Sequence, residues 1–435
     1  MRRPVATGAA AILTAALLTT GCASSTRPPN ISAPGFGTNA RGVVHFWDRN
    51  TTSPLGKLIV QQFNASHKHL KVRLDPIQDT QYVTKLATAV RSGSVPDVVG
   101  IDDINSQLFI HSGSFVDLTP LVKALPFKNQ FSPGALKLTT DHGHYYGTPY
   151  VADLSMLWYN KTLFRRAGLN PNRPPKNYAD ILRDARKISS LGHGIAGLSF
   201  PGDCEGCLGF TILPDIWATG QHLIEGTVGQ QHAHISGNAP LRKTLTLYHK
   251  LWAEGLSTPT SRTETGATWG QDFLTGKVGM LPAGYGTVAA NATKQFLKQV
   301  GATPLPGPQG GYSTFDGGAN FGIPKGAKNP SGAWEFIKFA LRKKEQLLAP
   351  TVGFTPIRQD VLTKSYRKKY PFDAVVLGAL PKGYAPKTLA YNTTFNQPGG
   401  PWLTMFTVAV FDGQVDAAIK AAQPGFTNAL QQAQE

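Results

Sequence analysis

The hydrophobic positions of the first hundred residues change period from segment to segment. Val43 to Trp47 is a run of strand-forming residues that ends in the polar "DRN". "TSPLGKLIVQQFNASH" then sets Leu55, Leu58, Ile59 and Phe63 at the three-and-four spacing of an amphipathic helix. In "LKVRLDPI" the residues Leu70, Val72 and Leu74 alternate, as on a half-buried strand. "QDTQYVTKLATAVRSG" returns to helical spacing and stops at Gly93, and "PDVVGID" is a short continuous run of the fully buried kind. Strand, helix, strand, helix, strand in this order predicts parallel pairing with right-handed crossovers, an α/β domain.

The same mixture continues downstream. "HYYGTPYVADLSMLWYNKTLFRRAGL" holds a turn, a strand and a helix start, and "GKVGMLPAGYG" reads as a buried strand ending in a glycine-rich turn. "NYADILRDARKISSLG" gathers Tyr178, Ile181, Leu182 and Ala185 on one helical face; "PLRKTLTLYHKLWAEGL" and "SGAWEFIKFALRKKEQL" are two more helices. Proline is spread along the chain and no single linker divides it, which fits two lobes crossed by the chain more than once.

The N-terminus changes the setting. Arg2 and Arg3 precede an apolar run from Ala9 to Leu18, too short to span a bilayer, which has the form of a secretory signal. It ends in "LTTGC", which is similar to a bacterial lipobox; this implies a signal peptide over 1–21 and acylation of Cys22. Residues 22–40, rich in Ser, Pro, Gly and Asn, read as a tether. No later stretch approaches the roughly 20 apolar residues of a membrane span, so the expected place is extracytoplasmic, anchored to the cell membrane by lipid.

Outside the cytoplasm thiols are oxidised, and with Cys22 acylated, Cys204 and Cys207 of "FPGDCEGCLGF" have only each other. No His-x₃₋₅-His half completes a zinc site, and His232 and His234 are two apart. A short-loop disulfide and no metal is the expectation. The net charge of +17 is dispersed, with short runs such as "YRKKY" lacking interleaved aromatics, so nucleic acid is not expected as a partner.

Four stretches in order carry a family resemblance: "VVHFWD", "LATAVRSGSVPDVVGIDD", "YYGTPYVADLSMLWYNKTLFRRAGL", and "FLTGKVGMLPAGYG" followed by "GGANFGIPKGAKNPSGAWEFIKFAL". With "GFTPIRQDVL" they extend from about residue 41 to 362. The chain resembles the extracellular sugar-binding proteins of ABC importers, the maltose-binding-protein-like family. The resemblance implies a two-lobed periplasmic-binding-protein-like α/β fold with a ligand cleft between the lobes. The division expected is 41–150 with 280–330 for the N-terminal lobe and 151–279 with 331–435 for the C-terminal lobe. It further implies a monomer without cofactor that captures a carbohydrate by lobe closure and delivers it to permease subunits and their ATPase.

A pyranose offers one apolar C–H face and a rim of hydroxyls, so its site needs aromatic platforms and planar hydrogen-bonding groups. Candidates follow predicted strands, where α/β sheets bind ligands. They are Trp47 and Asp48; Asp102 and Asp103; Tyr150 and Asp153 in "PYVAD"; Trp217; Trp269; and Tyr285 in "AGYG". Gly317, Gly318 and Asn320 of "GGAN" would let backbone approach the ligand, and Arg358 of "TPIRQD" offers a fork to hydroxyls or phosphate. Relatives with a close cysteine pair before a similar stretch imply that "CEGCLGFTILPDIWATGQ" is a pinned loop presenting Trp217 to the cleft.

A basic chain with Arg358 also admits a glycerophosphodiester or other anionic metabolite, although Asp153 would repel it. An exported enzyme is not expected. Asp48 and Asp153 could form an acid/base pair, but there is no GxSxG, P-loop or HExxH, and "SYRK" at 365–368 has no K-T-G box beside it. "HGH" at 142–144 reads as a solvated turn.

Overall fold

The computed structural model describes residues 29–33 and 35–435; the leader and Cys22 lie outside the described residues. Strands β1 (Gly42–Arg49), β2 (Leu70–Ile77) and β3 (Val98–Asp102) pair in parallel in the order β2-β1-β3. They alternate with helices Ser53–Ser66 and Asp79–Ser92, as the periodicity predicts. Leu55, Ile59 and Phe63 are the buried stripe of the first helix, and Val44 and Phe46 meet them from β1.

Two long strands extend this sheet. β4 (Gly147–Asn160) and β7 (Tyr312–Gly322) run antiparallel, from Gly147 opposite Gly322 to Leu154 opposite Asp316. β7 also pairs with β3, while the far half of β4 pairs with β6 (Val278–Gly284), which borders β5 (Ala196–Leu198). The full order is β2-β1-β3-β7-β4-β6-β5. β4 and β7 therefore belong to both halves of the molecule. A further crossing at Gly383–Tyr384 lies parallel to Thr314–Phe315 of β7.

Gly318 is the tightest point of this junction. Its φ is +144°, and a Cβ there would stand 2.0 Å from the carbonyl oxygen of Val151 on β4. Only glycine allows the strands to lie this close.

One large apolar cluster joins β1, helix Ser53–Ser66 and helix Pro330–Ala340; another joins helices Glu205–Trp217, Ala239–Ala253, Pro401–Val410 and Val415–Gln434. This corrects the expected division after residue 330. Buried residues from Ala333 to Leu380 join the first cluster, not the second; Phe336 lies 5.3 Å from Phe46 and Phe339 lies 5.1 Å from Phe63, ring to ring. The expected tether also ends early. The amides of Gly37 and Ala40 donate to Ser331 Oγ and Glu335 Oε2, both at 2.9 Å, docking that segment on the same helix.

Asp48 is fully buried. It accepts a hydrogen bond from Thr52 Oγ1 at 2.6 Å and faces the Tyr150 hydroxyl at 3.4 Å. Burial pushes its carboxyl up to about 7, against the pull of Thr52 and Arg49. Asp373, bonded by the hydroxyls of Thr355 and Tyr366, is likewise pushed up by burial to about 7. A carboxyl raised this way binds its proton more tightly in the folded chain than in the unfolded one. Its contribution is complete below about pH 4 and is lost as pH rises towards 7. Denaturant midpoints should therefore fall between pH 5 and pH 8. Asp48→Asn, which keeps the shape without the charge, should flatten that fall; an unchanged slope would remove Asp48 as a cause.

Candidate functional site

Arg49, the last residue of β1, holds the ends of three strands together. Its Nη1 lies 2.6 Å from Asp102 Oδ2 at the end of β3 and 3.4 Å from Asp79 Oδ1, and its Nη2 donates to the Gly318 carbonyl of β7 at 3.0 Å. Asp102 also caps the helix Asp103–His111 by accepting from the Ile104 amide at 3.3 Å. These are the carboxyl ends of parallel strands, where open α/β sheets hold ligands. The guanidinium charge is already matched by carboxylates on its own lobe.

Asp103, next along, is buried, and burial with the charges of Asp102 and Asp316 drives its pKa well above the ordinary carboxylate range. Asp153 lies in β4, the strand common to both lobes. It is partly exposed and makes no side-chain hydrogen bond among the described residues. Desolvation pushes it up to about 6, drawn back by Arg49 and reinforced by Asp102. The neighbouring Gly284 leaves space here: a Cβ on it would come 3.1 Å from Asp153 Oδ1 and 3.4 Å from the Phe210 ring.

Phe210 comes from the helix Glu205–Trp217 of the second lobe, and Trp269 stands edge-on to it with centroids 6.4 Å apart. The indole Nε1 is buried without a partner among the described residues. Amides link the walls: Asn392 Nδ2 donates to Asn105 Oδ1 at 2.6 Å, and Asn396 Nδ2 donates to Asn392 Oδ1 at 3.2 Å. Asn105 belongs to the helix after β3, and Asn392 and Asn396 to a π-helical turn of the second lobe. Flat aromatic rings, open carboxylates and amides thus meet along one seam. No group of three His, Cys, Asp or Glu side chains among the described residues is placed to hold a metal ion.

Of the residues singled out in the sequence, Asp102, Asp103, Asp153, Trp269 and the backbone of Gly318 meet here. The others are placed elsewhere. Asp48 and Tyr150 are core residues, Tyr150 stacked on Phe321 at 4.1 Å. Trp47 points to the opposite face of β1 from Asp48 and packs with the Tyr82 cluster, Lys85 Nζ standing 4.7 Å over its ring. Arg358 is locked by Asp360 at 2.9 and 2.6 Å and lies 4.0 Å over Phe127, buried in the first lobe. Tyr285 is buried near Asp373 and Tyr370. Gly317 is buried in β7, and Asn320 donates to Ser106 Oγ at 3.1 Å, fastening β7 to the helix Asp103–His111.

Trp217 is a further correction. It closes the helix Glu205–Trp217, buried against Phe315 and Tyr384 at 5.5 and 4.8 Å, while the cysteines begin that helix. Trp217 lies ten helical positions beyond Cys207, about 15 Å, so the pair does not present Trp217. The structure adds Arg49, Asn105, Phe210, Asn392 and Asn396, which the sequence reading passed over. Asn105 sits two residues beyond Asp103 and was within reach of the same argument; "YNTTFN" carries no motif.

Two lobes of α/β structure, crossed by shared strands and meeting at a polar and aromatic seam, define a solute-binding protein. The chain belongs to the bacterial extracellular solute-binding protein family, whose model matches residues 48–347. That family places it outside the cytoplasm. The sugar-binding protein MalE of Xanthomonas citri superposes with a TM-score of 0.79 at 20% identity, covering 90% of this chain and 98% of that one. A putative binding protein of Brucella abortus is 24% identical over 327 residues, 72% of this chain and 75% of its own length. An sn-glycerol-3-phosphate-binding periplasmic protein of Yersinia enterocolitica is 27% identical over 170 residues, 36% of this chain and 38% of its own.

The Asn105–Asn392 bond ties the lobes directly. Asn392→Ala should favour lobe separation in the ligand-free protein, read as a larger radius of gyration by small-angle X-ray scattering. Identical scattering from variant and wild type would remove this bond as a restraint.

Proposed function

We propose that the chain is the substrate-binding lipoprotein of an ABC importer, acylated at Cys22, that captures a carbohydrate between its lobes and delivers it to a membrane permease. The observation that carries this reading is the pairing of the Phe210–Trp269 rings with the unbonded carboxylate of Asp153. The rings suit the C–H face of a pyranose, and the carboxylate accepts from its hydroxyls. Asp102, Asp103, Asn105, Asn392, Asn396 and the Gly318 backbone supply further polar contacts. Contacts to both walls stabilise the closed arrangement over the open one, and the permease reads that closed shape.

The partial similarity to a glycerol-3-phosphate-binding protein supports a second reading, an anionic ligand. The charges argue against it. Arg49 is already paired with Asp102 and Asp79, Arg358 with Asp360, and Asp153 adds negative charge nearby. A phosphate would meet repulsion from Asp153, and the guanidinium groups of Arg49 and Arg358 are already matched by carboxylates.

A thermal-unfolding panel separates the readings, because a ligand bound only by the folded form raises the midpoint. Neutral mono- and oligosaccharides should include one that raises it, and sn-glycerol 3-phosphate should not. For the sugar that binds, Asp153→Ala should weaken affinity by about 10- to 100-fold, the loss of a hydrogen bond to a charged acceptor. A shift with glycerol phosphate alone would transfer the proposal to the second reading.

A further inference from the structure

The cysteine pair lies against the loop that leads to Trp269, not against Trp217 as the sequence suggested. Cys204 and Cys207 are disulfide-bonded, and Cys204 caps the helix that carries Phe210, its Sγ accepting from the Cys207 amide at 3.3 Å. Gly266 lies on the two sulfurs: a Cβ there would stand 3.0 Å from Cys207 Sγ and 3.2 Å from Cys204 Sγ. Its φ of +93° is in the left-handed region, so the conformation favours glycine, and a side chain would crowd the sulfurs. Three residues later comes Trp269, against Phe210.

The loop before Trp269 has little else to hold it. Arg262, Thr263, Thr265, Ala267 and Thr268 are exposed. The Asp203 amide donates to the Glu264 carbonyl at 3.1 Å, tying the loop to the segment just before Cys204. The Glu264 carboxylate accepts from the amides of Gly266 at 2.7 Å and Thr268 at 3.1 Å, which shapes the loop but does not attach it. Arg262, where the loop begins, is held by Asp412 at 3.9 Å and lies 5.4 Å over the Phe411 ring. From Thr263 to Thr268 the attachment surface is thus the disulfide and the segment just before it. Phe210 and Trp269 belong to separate segments, and the disulfide touches both: it begins the helix of one and supports the loop of the other.

We propose that the Cys204–Cys207 disulfide is a positioning element for the ligand-facing aromatic pair, holding Trp269 in register with Phe210. This rests on the reading of the seam as the ligand site. With the half-cystines only three residues apart in sequence, the bond closes too small a ring to restrain the unfolded chain much. Its effect is local, on the order of the loop 262–269 and on the residence of whatever stacks there.

The test compares wild type with Cys204→Ser/Cys207→Ser, using the sugar that most raises the wild-type unfolding midpoint. The variant should bind it about tenfold more weakly, the cost of ordering one large side chain and its loop on binding. The loss should appear in the dissociation rate, with association and the ligand-free unfolding midpoint nearly unchanged. Hydrogen exchange without ligand should quicken at residues 262–269 and not in the helix Ala239–Ala253. If the variant does not fold, reducing folded wild type with dithiothreitol, which leaves two thiols and a cyclic disulfide of the reagent, should give the same result. Unchanged exchange at 262–269 overturns the proposal, and so does unchanged affinity. If no sugar binds wild type, the reading of the site fails separately, and exchange alone decides whether the disulfide positions Trp269.

Discussion

Everything in this molecule depends on the close pairing of β4 with β7. Both apolar cores share these strands, and their packing fixes where the walls of the seam stand. At Gly318 the approach to Val151 leaves no room for a side chain. The same residue presents its carbonyl to Arg49, so the strand crossing and the charge cluster are set by one backbone position. Gly284 does similar work on the second side, where its missing side chain leaves Asp153 and Phe210 free of obstruction.

Burial sorts the carboxylates into two kinds. Asp48 and Asp373 are enclosed, bonded by hydroxyls and pushed up towards neutrality, which suits groups that hold helices to the sheet. Asp102 is paired with Arg49 at 2.6 Å and fixes the end of β3. Asp153 has neither a hydroxyl partner nor an arginine in contact, yet lies on the most constrained strand of the protein. An acceptor left open on a rigid element is a group kept for something that is not part of the chain.

Much of the fold was legible. The periodic segments became the strands and helices expected, since residues such as Leu55, Ile59 and Phe63 carry their own burial pattern. No strand is predicted over β7, since "DGGAN" is composed of poor strand formers; pairing on both sides overrides that preference. The site was legible in residue type but not in direction. Trp47 and Asp48 were chosen together, and alternation along β1 sends them to opposite faces, with Arg49 rather than Asp48 reaching the strand ends. Arg358 fits a ligand by chemistry alone, but Asp360, two residues on, already occupies its fork. The partners from the second lobe, Asn392 and Asn396, meet Asn105 only through the long return of the chain, which no local pattern encodes.

The seam's geometry also says which contacts can drive closure. Asn105 and Asn392 make a single amide hydrogen bond between lobes, a net contribution of about 1 kcal/mol. Shifting an open–closed equilibrium from 1:99 to 99:1 takes about 5.5 kcal/mol of differential binding, far beyond that bond. On the proposed reading the ligand supplies the rest, and it can do so only through groups whose separation changes. Asp153 belongs to the crossing strand, so its bond to a ligand forms in either state and adds affinity without favouring closure. Asp102 and Asn105 lie on one wall and Phe210 and Trp269 on the other, and a ligand touches both sets only when the lobes are together. Recognition at the hinge and closure by the walls are then separate tasks. The aromatic pair has to be rigid for the second, because a loop that gives way would spend the ligand's contacts on its own ordering.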